Sequence, residues 1–258
     1  MLHLFYVDRW PRSLSALQGL REATSFDLFV TLNRDNEDFA EVLRESFPDA
    51  TAIVVPNLGR DVLPFMRIAP VLVANGYRYV LKLHSKKSPR HPDGANWFES
   101  MVSNLVPSDP VLVRCVLDTL NDQSTGVIGA TGQYLSLKVW LGGTVPHLRR
   151  ALRMLNAGPQ AERILDDLQY GFFAGTMFWA RLDSFDTMFR CNFSLLAYDI
   201  ERGQTNGTFP HALERLFSLV PILEGRVLYE ISSAGLRRVD VTAGAVPWQS
   251  DVRAVEPT

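Results

Sequence analysis

Apolar positions in the first half of the chain follow two alternating rhythms. Short apolar and β-branched runs, Leu2–Val7, Phe26–Leu32, Thr51–Val55 and Tyr77–His84, read as strands. Between them Ser13–Glu22, Glu37–Ser46 and Val62–Asn75 place apolar residues on one helical face, as Phe39, Val42 and Leu43 show, and read as helices. Thr51–Val55 is apolar throughout and is expected to be a buried strand that Pro56 terminates; Gly76 caps the helix before it. A helix over Val111–Asn121 and a strand over Val127–Ala130 continue the alternation. Strands that alternate with helices imply a mostly parallel, doubly wound sheet, whose ligands bind past the carboxyl ends of the strands.

The second half changes rhythm. Pro146–Asp167 reads as helix, polar on one side and broken at Asn156-Ala157-Gly158-Pro159. Phe172–Arg181 reads as one aromatic-rich strand, Thr208–Val220 as a helix buried along Leu213, Leu216, Phe217 and Val220, and Arg226–Ile231 as a late strand. Thr208 suits an N-cap, and Pro210 is tolerated in the first turn. No repeat or linker interrupts the chain. The expectation is one α/β domain over residues 1–238, with residues 239–258 a loose tail.

Composition narrows the function classes. The 258 residues carry a net charge of −2, so no global basic field points to nucleic acid. Hydrophobic residues make up 47%, enough for a core without covalent staples, and Cys115 and Cys191, both in apolar neighbourhoods, are expected to be buried thiols in a reducing, cytoplasmic setting. No basic leader precedes Leu2–Val7, and no run approaches the roughly 18 apolar residues of a membrane span, which leaves peripheral association with a membrane as the only contact of that kind. The five histidines show neither an HxxxH pair nor a Cys partner at metal-ligand spacing.

Against this slightly acidic background, two expected strand ends concentrate unusual residues. Asn57-Leu58-Gly59-Arg60-Asp61 links a strand to a helix whose first turn offers free N–H groups, with a glycine where backbone can approach a ligand. Lys82-Leu83-His84-Ser85-Lys86-Lys87-Ser88 places a lysine inside a central strand and further cations just past it, the kind of donors a diphosphate needs. Asn57, Gly59, Arg60, Asp61, Lys82, His84, Lys86, Lys87 and Ser88 are therefore the candidate donor-binding residues. Gly175, inside an expected strand, marks a close backbone approach; Trp179 is a sugar-stacking platform or a core residue. His211, Glu214 and Arg215 share a helix and either orient a ligand or form a satisfied polar network.

These segments, taken in order, resemble the rhamnan-synthesis F family of bacterial polysaccharide biosynthesis. The matching pieces are His3–Tyr6, Asn57–Phe65, Tyr79–Ser88, Trp97, Phe172–Arg181, and Gly203-Gln204 through Gly207-Thr208 to Arg215, so that the resemblance runs from about Leu2 to Tyr229. It implies a GT-A-like fold and sugar transfer from a nucleotide-sugar, dTDP-rhamnose above all, onto a glycan acceptor such as a growing cell-surface O-antigen polysaccharide. Where GT-A enzymes hold a metal with Asp-x-Asp, this chain has His84-Ser85-Lys86, which implies that Lys86 and Lys87 neutralise the diphosphate and does not favour a divalent metal. The resemblance places an acid at Glu201, the expected general base, with His211 and Glu214 as further catalytic candidates and Gly175, Trp179, Arg181, Gln204, Asn206 and Arg215 toward the acceptor. Asn206 departs from the family, which tends to carry Asp there; an amide cannot take a proton. The other reading is a non-catalytic nucleotide-sugar- or glycan-binding module of a polysaccharide assembly.

Overall fold

The computed structural model describes residues 1–87, 94–167, 169–191, 193–200, 202–204 and 206–242. The strands are β1 (Leu2–Leu4), β2 (Phe29–Asn33), β3 (Thr51–Val55), β4 (Tyr79–His84), β5 (Thr125–Ala130), β6 (Tyr134–Ser136), β7 (Gly171–Phe173), β8 (Phe178–Arg181), β9 (Val227–Ser232) and β10 (Gly235–Arg238). The helices are α1 (Trp10–Ala23), α2 (Phe39–Ser46), α3 (Val62–Ala74), α4 (Gly94–Leu105), α5 (Pro110–Asn121), α6 (Leu137–Trp140), α7 (Val145–Met154), α8 (Gly158–Asp167), α9 (Asp186–Cys191) and α10 (Phe209–Leu223). Eight strands form one sheet in the order β10-β9-β5-β8-β4-β1-β2-β3, and β6 pairs with β7 beside it. β3, β2, β1 and β4 are mutually parallel; β8 runs against both β4 and β5, and β9 lies parallel to β5. The sheet is therefore mostly parallel, as expected, with one central strand reversed.

Side-chain alternation splits the core between the two faces of this sheet. Leu2, Leu4, Val30, Leu32, Leu81, Leu83 and Ile128 pack with α1, α4 and α5 residues on one face. Val80, Val127, Phe178, Ala180 and Leu228 pack with α3 and α10 on the other. There Phe65 sits among Phe178, Phe185 and Phe217 at ring separations of 5.9, 6.0 and 5.4 Å, edge-on contacts that aromatic quadrupoles favour.

Several expectations are corrected. β3 is not buried: it is the edge of the sheet, and Val54 is 46% exposed. Phe172–Arg181 is not one strand, because left-handed Gly175 (φ 87°) and Thr176 (φ 52°) break it into β7 and β8. β1 stops at Leu4, since the Tyr6 amide turns to the Ser85 hydroxyl at 2.8 Å. Cys115 is exposed and Cys191 half-buried, so neither is the buried thiol expected. Helix α4 and strands β6 and β10 had no counterpart in the periodicity. Residues 239–241 are tied down: the Val239 amide bonds the Leu228 carbonyl at 2.9 Å, and the Val241 carbonyl accepts from the Gly171 amide at 3.2 Å. The rest of the expected tail, from 243, lies outside the described residues.

Close packing at β5 gives a direct test of this arrangement. A Cβ on Gly129 would stand 2.2 Å from the Phe173 ring, which is itself buried. Gly129→Ala should therefore lower stability by about 1–3 kcal/mol through overpacking, read as a shift in the urea midpoint at unchanged slope.

Candidate functional site

Period-two alternation along β4 sends Lys82 and His84 to the same face of the sheet. Both are buried. A lone ammonium there would be prohibitive, and Asp61 supplies the counter-charge: it pairs with Lys82, whose Nζ also donates to the Thr176 carbonyl at 2.7 Å. The Thr176 hydroxyl donates to the same Asp61 carboxylate. Burial alone would raise the Asp61 carboxyl, but His84, Lys82 and the hydrogen bonds from Lys82 and Thr176 hold it far below the usual carboxylate range. Burial pushes Lys82 down, opposed by Asp61, and lowers His84 as well.

The loop that delivers Asp61 is shaped by two left-handed residues, Gly59 (φ 66°) and Arg60 (φ 57°). A side chain at Gly59 would meet Leu63 Cβ and the Tyr198 ring, each at 2.6 Å. Arg60 has no such excuse, and its conformation costs roughly 1–2 kcal/mol. Its guanidinium is held across the site, donating to the Gln204 carbonyl and to His211 Nε2, the latter at 3.1 Å. A guanidinium only donates, so Nε2 must accept and Nδ1 must carry the proton, which it gives to the Thr208 hydroxyl at 2.6 Å. His211 is thus neutral in this arrangement. Thr208 occupies the N-cap position of α10 but its side chain serves His211; the first helical amide, Phe209, bonds instead to Asp199 Oδ2 at 2.8 Å.

A second chain of contacts closes the site from the α10 side. Glu214 Oε1 accepts the Gly175 amide at 2.7 Å, and its other oxygen pairs with Arg215 at 2.5 Å. Arg215 also donates to the His211 carbonyl at 2.9 Å and the Trp140 carbonyl at 2.8 Å, and reaches Asn206 Oδ1 at 3.5 Å. The Gly175 carbonyl accepts from His84 Nε2 at 2.6 Å, and a Cβ at Gly175 would stand 2.6 Å from the Trp97 ring. Lys86 lays its ammonium 4.0 Å above that same indole, whose N–H is fixed by Gln133 at 2.8 Å. Burial lowers Lys86, and among the charges that act on it are Glu214, Asp61 and Arg60.

The site thus gathers Gly59, Arg60, Asp61, Lys82, His84, Lys86, Gly175, Gln204, Asn206, His211, Glu214 and Arg215. Asn57 is exposed on the same loop. Lys87 points to the β1 end, paired with Asp8 at 2.7 Å. Two expected site residues are elsewhere. Trp179 is core: it is 5% exposed, and its indole N–H donates to the Leu105 carbonyl at 2.7 Å. Arg181 pairs in register with Tyr79 at the opposite end of the sheet, where it binds Asp183 and the Leu120 carbonyl. Ser88 and Glu201 lie outside the described residues. Asn206 has a structural task, its amide oxygen accepting from the Thr144 hydroxyl and facing Arg215, for which an amide suffices. Trp97 was marked only as a matching piece of the resemblance, and Thr176 and Thr144 were not singled out; Thr176 beside Gly175 was the available signal. A cavity of about 480 Å³ lies at the other end of the sheet, lined by Leu17, Leu20, Phe26, Tyr77 and Trp179, and not by Arg60, Lys82 or Lys86.

Residues 1–225 match the family model described as rhamnan synthesis protein F. The chain belongs to that family. It is also 27% identical over 222 residues to the uncharacterized protein WxcX of Xanthomonas campestris pv. campestris, in strains B100 and ATCC 33913 alike. The match covers 85% of this chain but 30% of the relative, so this family member spans less than a third of the length of those proteins. No solved structure matches significantly. Among the described residues no group of three or more His, Cys, Asp or Glu side chains is placed to hold a metal ion, and no helix is long and apolar enough to cross a membrane.

Two stability tests follow from the buried charges. Lys82→Met leaves Asp61 in the core without its counter-charge and should cost about 3–5 kcal/mol, whereas adding Asp61→Asn should recover much of that loss in urea unfolding. His3, buried and bonded through Nδ1 to the Thr31 hydroxyl at 2.9 Å, is lowered to about 4, chiefly by burial. The unfolded chain takes up this proton near 6.5 and the folded chain only near 4, so stability should fall as pH drops through that window, by roughly 3 kcal/mol for this group. His3→Gln should flatten that part of the stability–pH curve.

Proposed function

We propose that this domain is a GT-A-like glycosyltransferase that holds the diphosphate of a nucleotide-sugar between Arg60 and Lys86, at the carboxyl end of β4, and transfers the sugar to a growing polysaccharide. One observation carries the reading: beside the Lys82–Asp61 and Arg215–Glu214 pairs, half-buried Lys86 brings a further cation to the space that Arg60 also acts on. Lys82 and Arg215 are committed to Asp61 and Glu214, while Lys86 makes no ion pair or hydrogen bond among the described residues and rests on Trp97. A diphosphate suits that cation, and fixed cations would stabilise it as a leaving group without a divalent metal.

Both oxygens of Glu214 are taken, and the Nε2 lone pair of His211 faces Arg60. These two residues accordingly position the site. Proton removal from the acceptor is assigned to Glu201, which precedes α10 in the chain. The rhamnan-synthesis description of the family supports a rhamnose-containing product, and dTDP-rhamnose is the donor proposed for it.

Thermal shift and calorimetry with dTDP-, UDP- and GDP-sugars should show binding to the wild-type chain. Lys86→Ala and Arg60→Ala should each weaken it about tenfold or more, as expected for loss of a charge-assisted contact. Donor consumption with a glycan acceptor should persist in excess chelator and fall by orders of magnitude in Glu201→Gln. Binding without turnover on any acceptor would leave a nucleotide-sugar-binding module; absence of binding would sink the reading altogether.

A further inference from the structure

The cations of the site are answered in two ways. Lys82 pairs with Asp61 and Arg215 with Glu214. Half-buried Lys86 forms no ion pair among the described residues; its ammonium lies 4.0 Å from the centre of the Trp97 ring. Glu214 and Asp61 act on it from farther away, each already bound to its own cation. An aromatic face attracts a cation through its quadrupole and carries no net charge. A carboxylate in its place would hold the ammonium too, but it would occupy the N–H donors and repel an incoming diphosphate. The indole leaves those donors to a ligand.

The indole is itself fixed from two sides. Its N–H donates to Gln133 Oε1 at 2.8 Å. Gln133 is anchored through its backbone: its amide donates to the Ala130 carbonyl at 3.2 Å, and its carbonyl accepts from the Ala174 amide at 2.9 Å. The six-membered edge of the ring abuts Gly175, where a Cβ would stand 2.6 Å from Cη2 and 2.8 Å from Cζ2. The next residues along α4, Phe98, Met101 and Val102, are buried in the core and seat the helix on the sheet. The ring is therefore clamped between the turn after β5 and the turn before β8. We infer that Trp97 is the positioning residue of the donor site: its indole, oriented by Gln133 and backed by Gly175, holds the Lys86 ammonium just past the carboxyl end of β4 with its N–H groups open to the diphosphate. The inference rests on the nucleotide-sugar reading of the site and adds to it how a lysine beyond a strand end is kept in place without being neutralised.

The test is calorimetry of UDP, dTDP and GDP on the intact chain and its variants, with melting temperatures recorded alongside. Trp97→Leu should weaken binding about tenfold, and Trp97→Phe, which keeps an aromatic face, about threefold. In the Lys86→Met background neither substitution should weaken binding further, because Trp97 acts through the ammonium. A purely structural role predicts the same loss in both backgrounds, and that result would overturn the inference. Trp97→Phe fills most of the space beside Gly175, so the comparison stands even if Trp97→Leu folds poorly. Unchanged affinity in Trp97→Leu, with affinity lost in Lys86→Met, would remove Trp97 from the site and leave the diphosphate contact intact. Failure of all three nucleotides to bind would overturn both readings.

Discussion

An ammonium inside a central strand has to be answered, and the answer given to Lys82 organises the functional end of this protein. Asp61 comes from the loop that begins α3, and Thr176 from the turn that begins β8. One buried ion pair thus joins three segments that are far apart in the chain. Its charges cancel, so its contribution is less net stability than a defined geometry. Replacing such a pair with apolar residues is often neutral, whereas leaving one member alone is severe. Asp61 is held so firmly ionised that its geometry should persist through the physiological range.

That geometry sustains backbone conformations the sequence would otherwise avoid. Arg60 and Thr176, both left-handed and neither glycine, flank the pair, one adjacent to Asp61 and one bonded to it. Left-handed residues of this kind persist when their surroundings over-determine them. Here the determinants are hydrogen bonds: the Gln204 carbonyl and His211 for Arg60, Asp61 and Lys82 for Thr176. The strain therefore sets where the cation of Arg60 is presented.

Much of this end of the molecule was legible in the chain. Lys82 broke the apolar pattern of a strand, and Gly175 marked a close approach, which is to the Trp97 ring; at Gly59, where approach to a ligand was expected, the close neighbours are Leu63 and Tyr198. What could not be read was partnership. Nothing in the local pattern of Phe172–Arg181 distinguishes a continuous strand from two strands hinged at Gly175-Thr176, since the break is stabilised from outside by Glu214 and Lys82. Trp179 had two readings, a sugar-stacking platform or a core residue, and its place in β8 puts it in the α4–α5 core. β3 looked buried because its residues are apolar, but burial depends on a neighbouring strand, and β3 has a neighbour on one side only.

Asn206 shows how a departure from a family pattern changes meaning once contacts are known. By type, an amide in place of a carboxylate suggests a lost base. In place, its oxygen accepts from Thr144 and faces Arg215, joining the turn after α6 to the start of α10. A carboxylate could make the same contacts, but next to Arg215 it would compete with Glu214 for the guanidinium. Glu214 fixes the Gly175 amide, and Gly175 in turn receives His84 through its carbonyl. A neutral residue at 206 leaves Arg215 to Glu214.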